Sequence, residues 1–210
     1  MRTNFTKSAL VLLILTIIGC QNLDKKKLQL VQKEYGNTDS LKDSLGVELE
    51  LNLFNNWKDL LRRTERIVCN DSLPKITLKS HSTNKTIYFK NPCWENFACI
   101  LIKEKNVIEI HNDTINKSDR QFFPLDSLES VLRRDLENNG RNPRLSENPE
   151  KLLIYVSFDD NGIEKLPNTL NKLTETYERI TNNTDIKIVL NQKFNLPPPP
   201  PPQQGEAYIE

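Results

Sequence analysis

Four cysteines, two histidines and one Asp-Asp pair carry most of the reactive chemistry in this 210-residue chain. Cys20 ends the stretch Ile17-Ile18-Gly19-Cys20. Cys69, Cys93 and Cys99 lie further on, and the last two flank Trp94-Glu95-Asn96-Phe97-Ala98. There is no Cys-x-x-Cys, and His81 and His111 are far apart, so the familiar zinc frameworks do not fit. Asp159-Asp160-Asn161-Gly162 has some oxygen-ligand character. A calcium loop starting there would need a glutamate where Leu170 stands, so the four residues read as a turn. No Gly-x-Ser-x-Gly, His-Glu-x-x-His or phosphate-cradling glycine loop occurs, and six glycines leave little material for a nucleotide site. The expectation is therefore no catalytic residue, no metal and no cofactor. His81 and His111 read as surface residues in or beside hairpin loops, and Trp57 and Trp94 as packing residues.

Cys20 stands at the end of a three-part segment. Arg2 and Lys7 supply positive charge, Ala9 to Ile18 form an apolar run broken only by Thr16, and a small residue precedes the cysteine. The run is shorter than the roughly 20 residues of a membrane-spanning helix and has the pattern of a secretory signal. With cysteine at the cleavage point it resembles the lipobox of bacterial lipoproteins. That resemblance implies removal of residues 1–19 and lipidation of Cys20. Several acyl chains hold a protein to a membrane far more firmly than one. Gln21, where an aspartate would favour inner-membrane retention, points to the outer membrane, with the folded part facing the periplasm. That compartment is oxidising, so one disulfide is expected: Cys93 with Cys99, or Cys69 with either of them.

The chain carries 29 Lys and Arg against 28 Asp and Glu. Residues 1–19 hold Arg2, Lys7 and no acid, so the chain from Cys20 onward is close to neutral and nucleic acid is not an expected partner. Residues 20–39 are polar and lysine-rich and read as a tether. Residues 40–70 read as a helical segment that Gly46 interrupts, with Leu51, Leu53, Phe54, Trp57, Leu60 and Leu61 near helical spacing. An α+β domain is expected over residues 71–194. Ile76–Leu78 and Thr86–Phe89 read as one hairpin, Cys99–Ile102 and Val107–Ile110 as a second, and 112–121 as a polar loop. Asp126 and Glu129 suggest a capping box for a helix bearing Leu128, Val131, Leu132 and Leu136. Leu152–Phe158 is apolar on both faces and reads as a central strand. A helix with Leu166, Leu170, Leu173, Tyr177 and Ile180 comes next, then the strand Ile186–Leu190. Residues 195–210 are a proline-rich tail in which Pro197–Pro202 favour polyproline II.

From residue 98 to 190 the order is a strand pair, a Phe-Pro-Leu-Asp-Ser-Leu-Glu helix entry, a helix, the Leu-Leu-Ile-Tyr-Val-Ser-Phe-Asp strand, Asn-Gly, a helix and an Ile-Lys-Ile strand. This order resembles the periplasmic domain of the ExbD/TolR biopolymer-transport family. The resemblance implies a small mixed sheet with two amphipathic helices, and a part accessory to envelope transport. Asp159 falls where that family often ends its central strand with an acidic residue. The family also has a membrane helix with a proton-carrying aspartate. This chain's apolar segment contains no acid, so the proton chemistry is not carried over. The expected function is a non-enzymatic, lipid-anchored interaction module for an envelope protein or the cell wall. The alternative is a lipid-anchored hydrolase whose site the sequence does not display.

Overall fold

Asn56 decides where the first helix starts. The Asn56 side chain accepts a hydrogen bond from the Asp59 amide at 2.9 Å, an N-cap that satisfies one of the unpaired donors of the first turn. The computed structural model of the chain describes residues 31–36, 45–79, 83–96, 102–117 and 121–192. In it the first helix, α1, covers Trp57–Val68, with Trp57, Leu60, Thr64 and Ile67 turned inward. The expected helix over 40–70 is therefore shorter than its apolar spacing suggests. Leu51–Leu53 is a single 3-10 turn, and Gly46–Glu48 is a strand, β2.

The architecture is α+β, with two sheets and three α-helices among the described residues. β1 (Val31–Tyr35), β2, β3 (Leu73–Lys79) and β4 (Thr83–Tyr88) form the first sheet in the order β1-β4-β3-β2. The hairpin expected at Ile76 and Thr86 is β3–β4, with Ile76 opposite Ile87. β1 corrects the tether reading for residues 31–35. It pairs with β4 in parallel from Val31↔Thr83 to Tyr35↔Ile87, and Tyr35 is fully buried. Its partner lies about fifty residues away, so five mostly polar residues give no local sign of a strand.

The second sheet has the order β7-β6-β5-β8-β9. β5 is Val107–His111, β6 Thr114–Lys117, β7 Gln121–Pro124, β8 Leu153–Ser157 and β9 Ile188–Leu190. The hairpin partner of β5 is β6, within the segment whose polarity predicts a loop. Asn112 makes the tight turn possible at φ +51°, a left-handed conformation that asparagine tolerates better than most residues. Of the strand expected at Cys99–Ile102, residues 99–101 lie outside the described residues and Ile102 is in no strand. β8 is central, paired in parallel with β5 and β9, as its two-sided apolar run predicts.

Helices α2 (Leu128–Leu136) and α3 (Leu166–Thr181) cover one face of this sheet. The capping box expected at Asp126 does not form. Leu125–Ser127 is a 3-10 turn, and Asp126 pairs with Lys172 of α3 at 2.5 Å instead. Pro167 sits in the first turn of α3, where no amide donor is missed, and Asn182 ends the helix at φ +59°. One continuous core holds Tyr35 and Trp57, Ile108, Ile110, Ile154 and Val156, and Leu132, Leu170 and Leu173. Fully burying each such side chain contributes roughly 1.5–3 kcal/mol.

The two sheets meet through β9. Phe89, just past β4, bridges to Ile188, and the Lys90 amide donates to the Ile188 carbonyl at 2.7 Å. Gly36 closes the same seam, its amide donating to the Thr184 carbonyl at 2.8 Å. A Cβ there would stand 2.8 Å from the Tyr88 carbonyl oxygen and 2.9 Å from that of Ile186, at φ +74°, so the position requires glycine. α3 also pairs with the first sheet: Lys33 and Tyr35 reach Glu178, each at 2.6 Å, and Lys85 reaches Glu175 at 2.6 Å.

Candidate functional site

β5, β8 and β9 run parallel, so their carboxyl ends gather polar residues on one rim, the place where ligands commonly bind in parallel sheets. His111 and Ser157 are register partners at that rim. The His111 Nδ1 lies 3.0 Å from the Ser157 Oγ, and its Nε2 lies 3.4 Å from an Asp159 carboxylate oxygen. Asn112 donates through Nδ2 to the other Asp159 oxygen at 2.9 Å, and its backbone amide donates to the Ser157 carbonyl at 3.0 Å. With a proton on Nε2 facing Asp159, Nδ1 would accept from the serine hydroxyl. The result is a hydroxyl, imidazole and carboxylate in line, the order in which a base activates a nucleophile.

Two features weigh against catalysis. Ser157 is 6% exposed, and the Asp159 side chain is 75% exposed, so water screens the carboxylate that would orient the imidazole. A working triad buries that carboxylate. What the cluster does directly is to latch the β5–β6 turn to the end of β8. The Asp159–Gly162 turn forms as expected, its ends joined by the Gly162 amide and the Asp159 carbonyl at 2.8 Å. It also seats α1: the Trp57 amide donates to the Asp160 carbonyl at 3.1 Å, the Trp57 indole donates to the Asn191 carbonyl at 2.9 Å, and the indole meets Phe158 edge to face at 5.3 Å.

The other residues singled out in sequence are distributed differently. Cys20, His81 and Cys99 lie outside the described residues. Cys69 is joined to Cys93, one of the pairings left open, and this ties the end of α1 to the segment after β4. Trp57 is core, as expected, whereas Trp94 is 44% exposed. Sequence reasoning missed the partnership of His111 with Ser157, which are 46 residues apart. Only the parallel register of β5 and β8 brings them together, and no local pattern encodes it.

Outside this rim, the second sheet ends at β7, with no described strand on its outer side. Phe123 faces inward under the Arg134 guanidinium, so alternation turns Phe122 the other way, where it is 66% exposed. A groove of about 520 Å³ runs between β2–β3 and the start of α3, lined by Leu51, Leu78, Lys85, Pro167 and Asn171 among others. No protein-family model, no curated protein and no solved structure matches the chain.

Proposed function

We propose that this chain is a bacterial lipoprotein, cleaved ahead of Cys20 and lipid-anchored at that residue, whose folded part is a non-enzymatic interaction module of the envelope. The observation that carries the interaction reading is the open edge at β7. Its outward amides and carbonyls have no described strand beside them, and exposed Phe122 supplies an apolar contact next to them. An extended segment of another envelope protein can add to such an edge, with the ladder giving affinity and side-chain contacts giving selectivity. Exposed edges are otherwise a liability that proteins blunt. The mixed sheet with two helices on one face also supports kinship of arrangement with the ExbD/TolR periplasmic domain, and with it an accessory part in envelope transport.

Two experiments test this reading. Cys20→Ala should lose labelling by a fatty-acid analogue and release the protein from membranes; retained labelling overturns the lipoprotein assignment. A photo-crosslinking residue at Phe122 should capture an envelope protein that the same residue at exposed Arg144 does not. Equal capture at both positions removes β7 as the docking edge.

A second reading, a lipid-anchored hydrolase, is favoured by one observation, the Ser157–His111–Asp159 line. A fluorophosphonate probe decides it. Labelling that disappears in Ser157→Ala makes the chain an enzyme, and absence of labelling leaves the cluster as a latch.

A further inference from the structure

We infer that the face of α1 beside Trp94 is a binding groove for a proline-rich segment in extended conformation, and that its occupant is this chain's own tail. The groove has two adjoining parts. The first, about 220 Å³, is lined by Leu61, Arg62 and Glu65 of α1 and by Pro92, Trp94 and Gln192. The second, about 640 Å³, shares Arg62 and Glu65 and continues past Arg66 to Cys69 and Glu95. The Cys69–Cys93 disulfide holds the two walls together.

Three properties select the ligand. Trp94, 44% exposed beside Pro92, offers an aromatic surface on which proline rings pack. A run of prolines in polyproline II has no internal hydrogen bonds and no amide donors, so it presents only carbonyl acceptors. The α1 wall presents donors to match: Lys58 and Arg66 have no side-chain partner among the described residues, and Arg62 has only an exposed contact to Asp59 at 3.3 Å. Proline also loses little ordering entropy on docking, because its conformation is already restricted.

Chain length selects the occupant. Gln192 is both a wall of the groove and the point from which residues 193–210 continue. Lys193–Leu196 separate it from Pro197, a reach of at most about 17 Å. α1 has 12 residues, about 18 Å at 1.5 Å per residue. The linker can therefore set the start of the proline run anywhere within the span of the groove, and the six residues, about 19 Å long, match its length. Tethering on this scale gives a local concentration on the order of millimolar, which a free partner rarely reaches.

Trp94 itself reports the docking. The chain has two tryptophans, and Trp57 is buried, so acrylamide quenching reads Trp94. Quenching should be at least threefold weaker in the purified full chain than in a chain ending at Gln192. A peptide copying residues 193–204 should restore the shielding saturably in the shortened chain, and Trp94→Ala should weaken binding of the labelled peptide at least tenfold. Should the shortened chain fail to fold, the full chain carrying Pro198→Gly, Pro199→Gly and Pro200→Gly should show the exposed Trp94 instead. Equal quenching with and without an intact proline run overturns the site. Shielding that fades on hundredfold dilution assigns the groove to the tail of a second copy and overturns the choice of occupant.

Discussion

Lys117 on β6 and Asp135 on α2 meet at 2.6 Å, with side chains only 1% and 0% exposed. The ammonium also donates to the Lys105 and Val107 carbonyls, at 2.6 and 3.1 Å. The shared Asp135 oxygen accepts from the Ser146 amide at 3.0 Å, and the other oxygen has no hydrogen-bond partner among the described residues. Burial pulls the lysine below its usual range, while its bond to Asp135 acts the other way. Breaking such a pair from one side leaves a buried charge uncompensated. Lys117→Met should therefore destabilise by about 3–5 kcal/mol. Lys117→Met with Asp135→Leu should recover most of that loss. Urea unfolding of the three proteins checks it, and a double variant no better than the single one refutes the account.

Val156 lies in β8, between β5 and β9, and is fully buried. Val156→Asp places an unpaired carboxylate in the core. The cost of several kcal/mol is comparable to the roughly 5–15 kcal/mol that holds a domain together. The variant should be unfolded or molten by near-UV circular dichroism, whereas Val156→Ile should stay folded.

Joining Cys69 to Cys93 closes a loop with a sequence separation of 24, which in the chain-entropy model stabilises by about 3 kcal/mol. The Cys69→Ser, Cys93→Ser double variant should melt well below the parent protein. Adding a reductant to the parent should lower its melting temperature by a similar amount, and leave the double variant unmoved.

Glu178 is held below the usual carboxylate range by the bond from Lys33 first and that from Tyr35 second. Glu175 is held down in the same sense, first by Lys85. A carboxyl whose pKa is lower in the folded state stabilises fully above its unfolded value, 4.5 for both residues. That stabilisation is lost as pH falls through the lowered folded values. Glu178→Gln should thus lower the melting temperature at pH 7 and make a shrinking difference as pH drops below about 4.5. A difference that persists unchanged at pH 2 would detach the effect from this carboxylate.

Elements whose evidence is local were legible in the sequence. β8 announces itself because both its faces are buried, and α3 because Leu166, Leu170, Leu173 and Tyr177 repeat at helical spacing. β1, β2 and β6 were not legible. Val31-Gln32-Lys33-Glu34-Tyr35 and Thr114-Ile115-Asn116-Lys117 are polar enough to read as loop. Their strand character comes from β4 and β5, and in Lys117 from a counter-charge on a distant helix. The rim cluster was hidden for the same reason: histidine and serine become neighbours only once two strands are aligned.

β1 is the first described strand, and Val31 is its first residue. Because β1 and β4 are parallel neighbours, tension along the strand axis loads the five registered pairs together, in shear, instead of opening them one at a time. Tyr35 and Lys33 add side-chain rivets to Glu178 along the same line. The strand thus works as a strain relief. Force entering at Val31 is shared between that ladder and, through Glu178, the helix that packs on the five-stranded sheet.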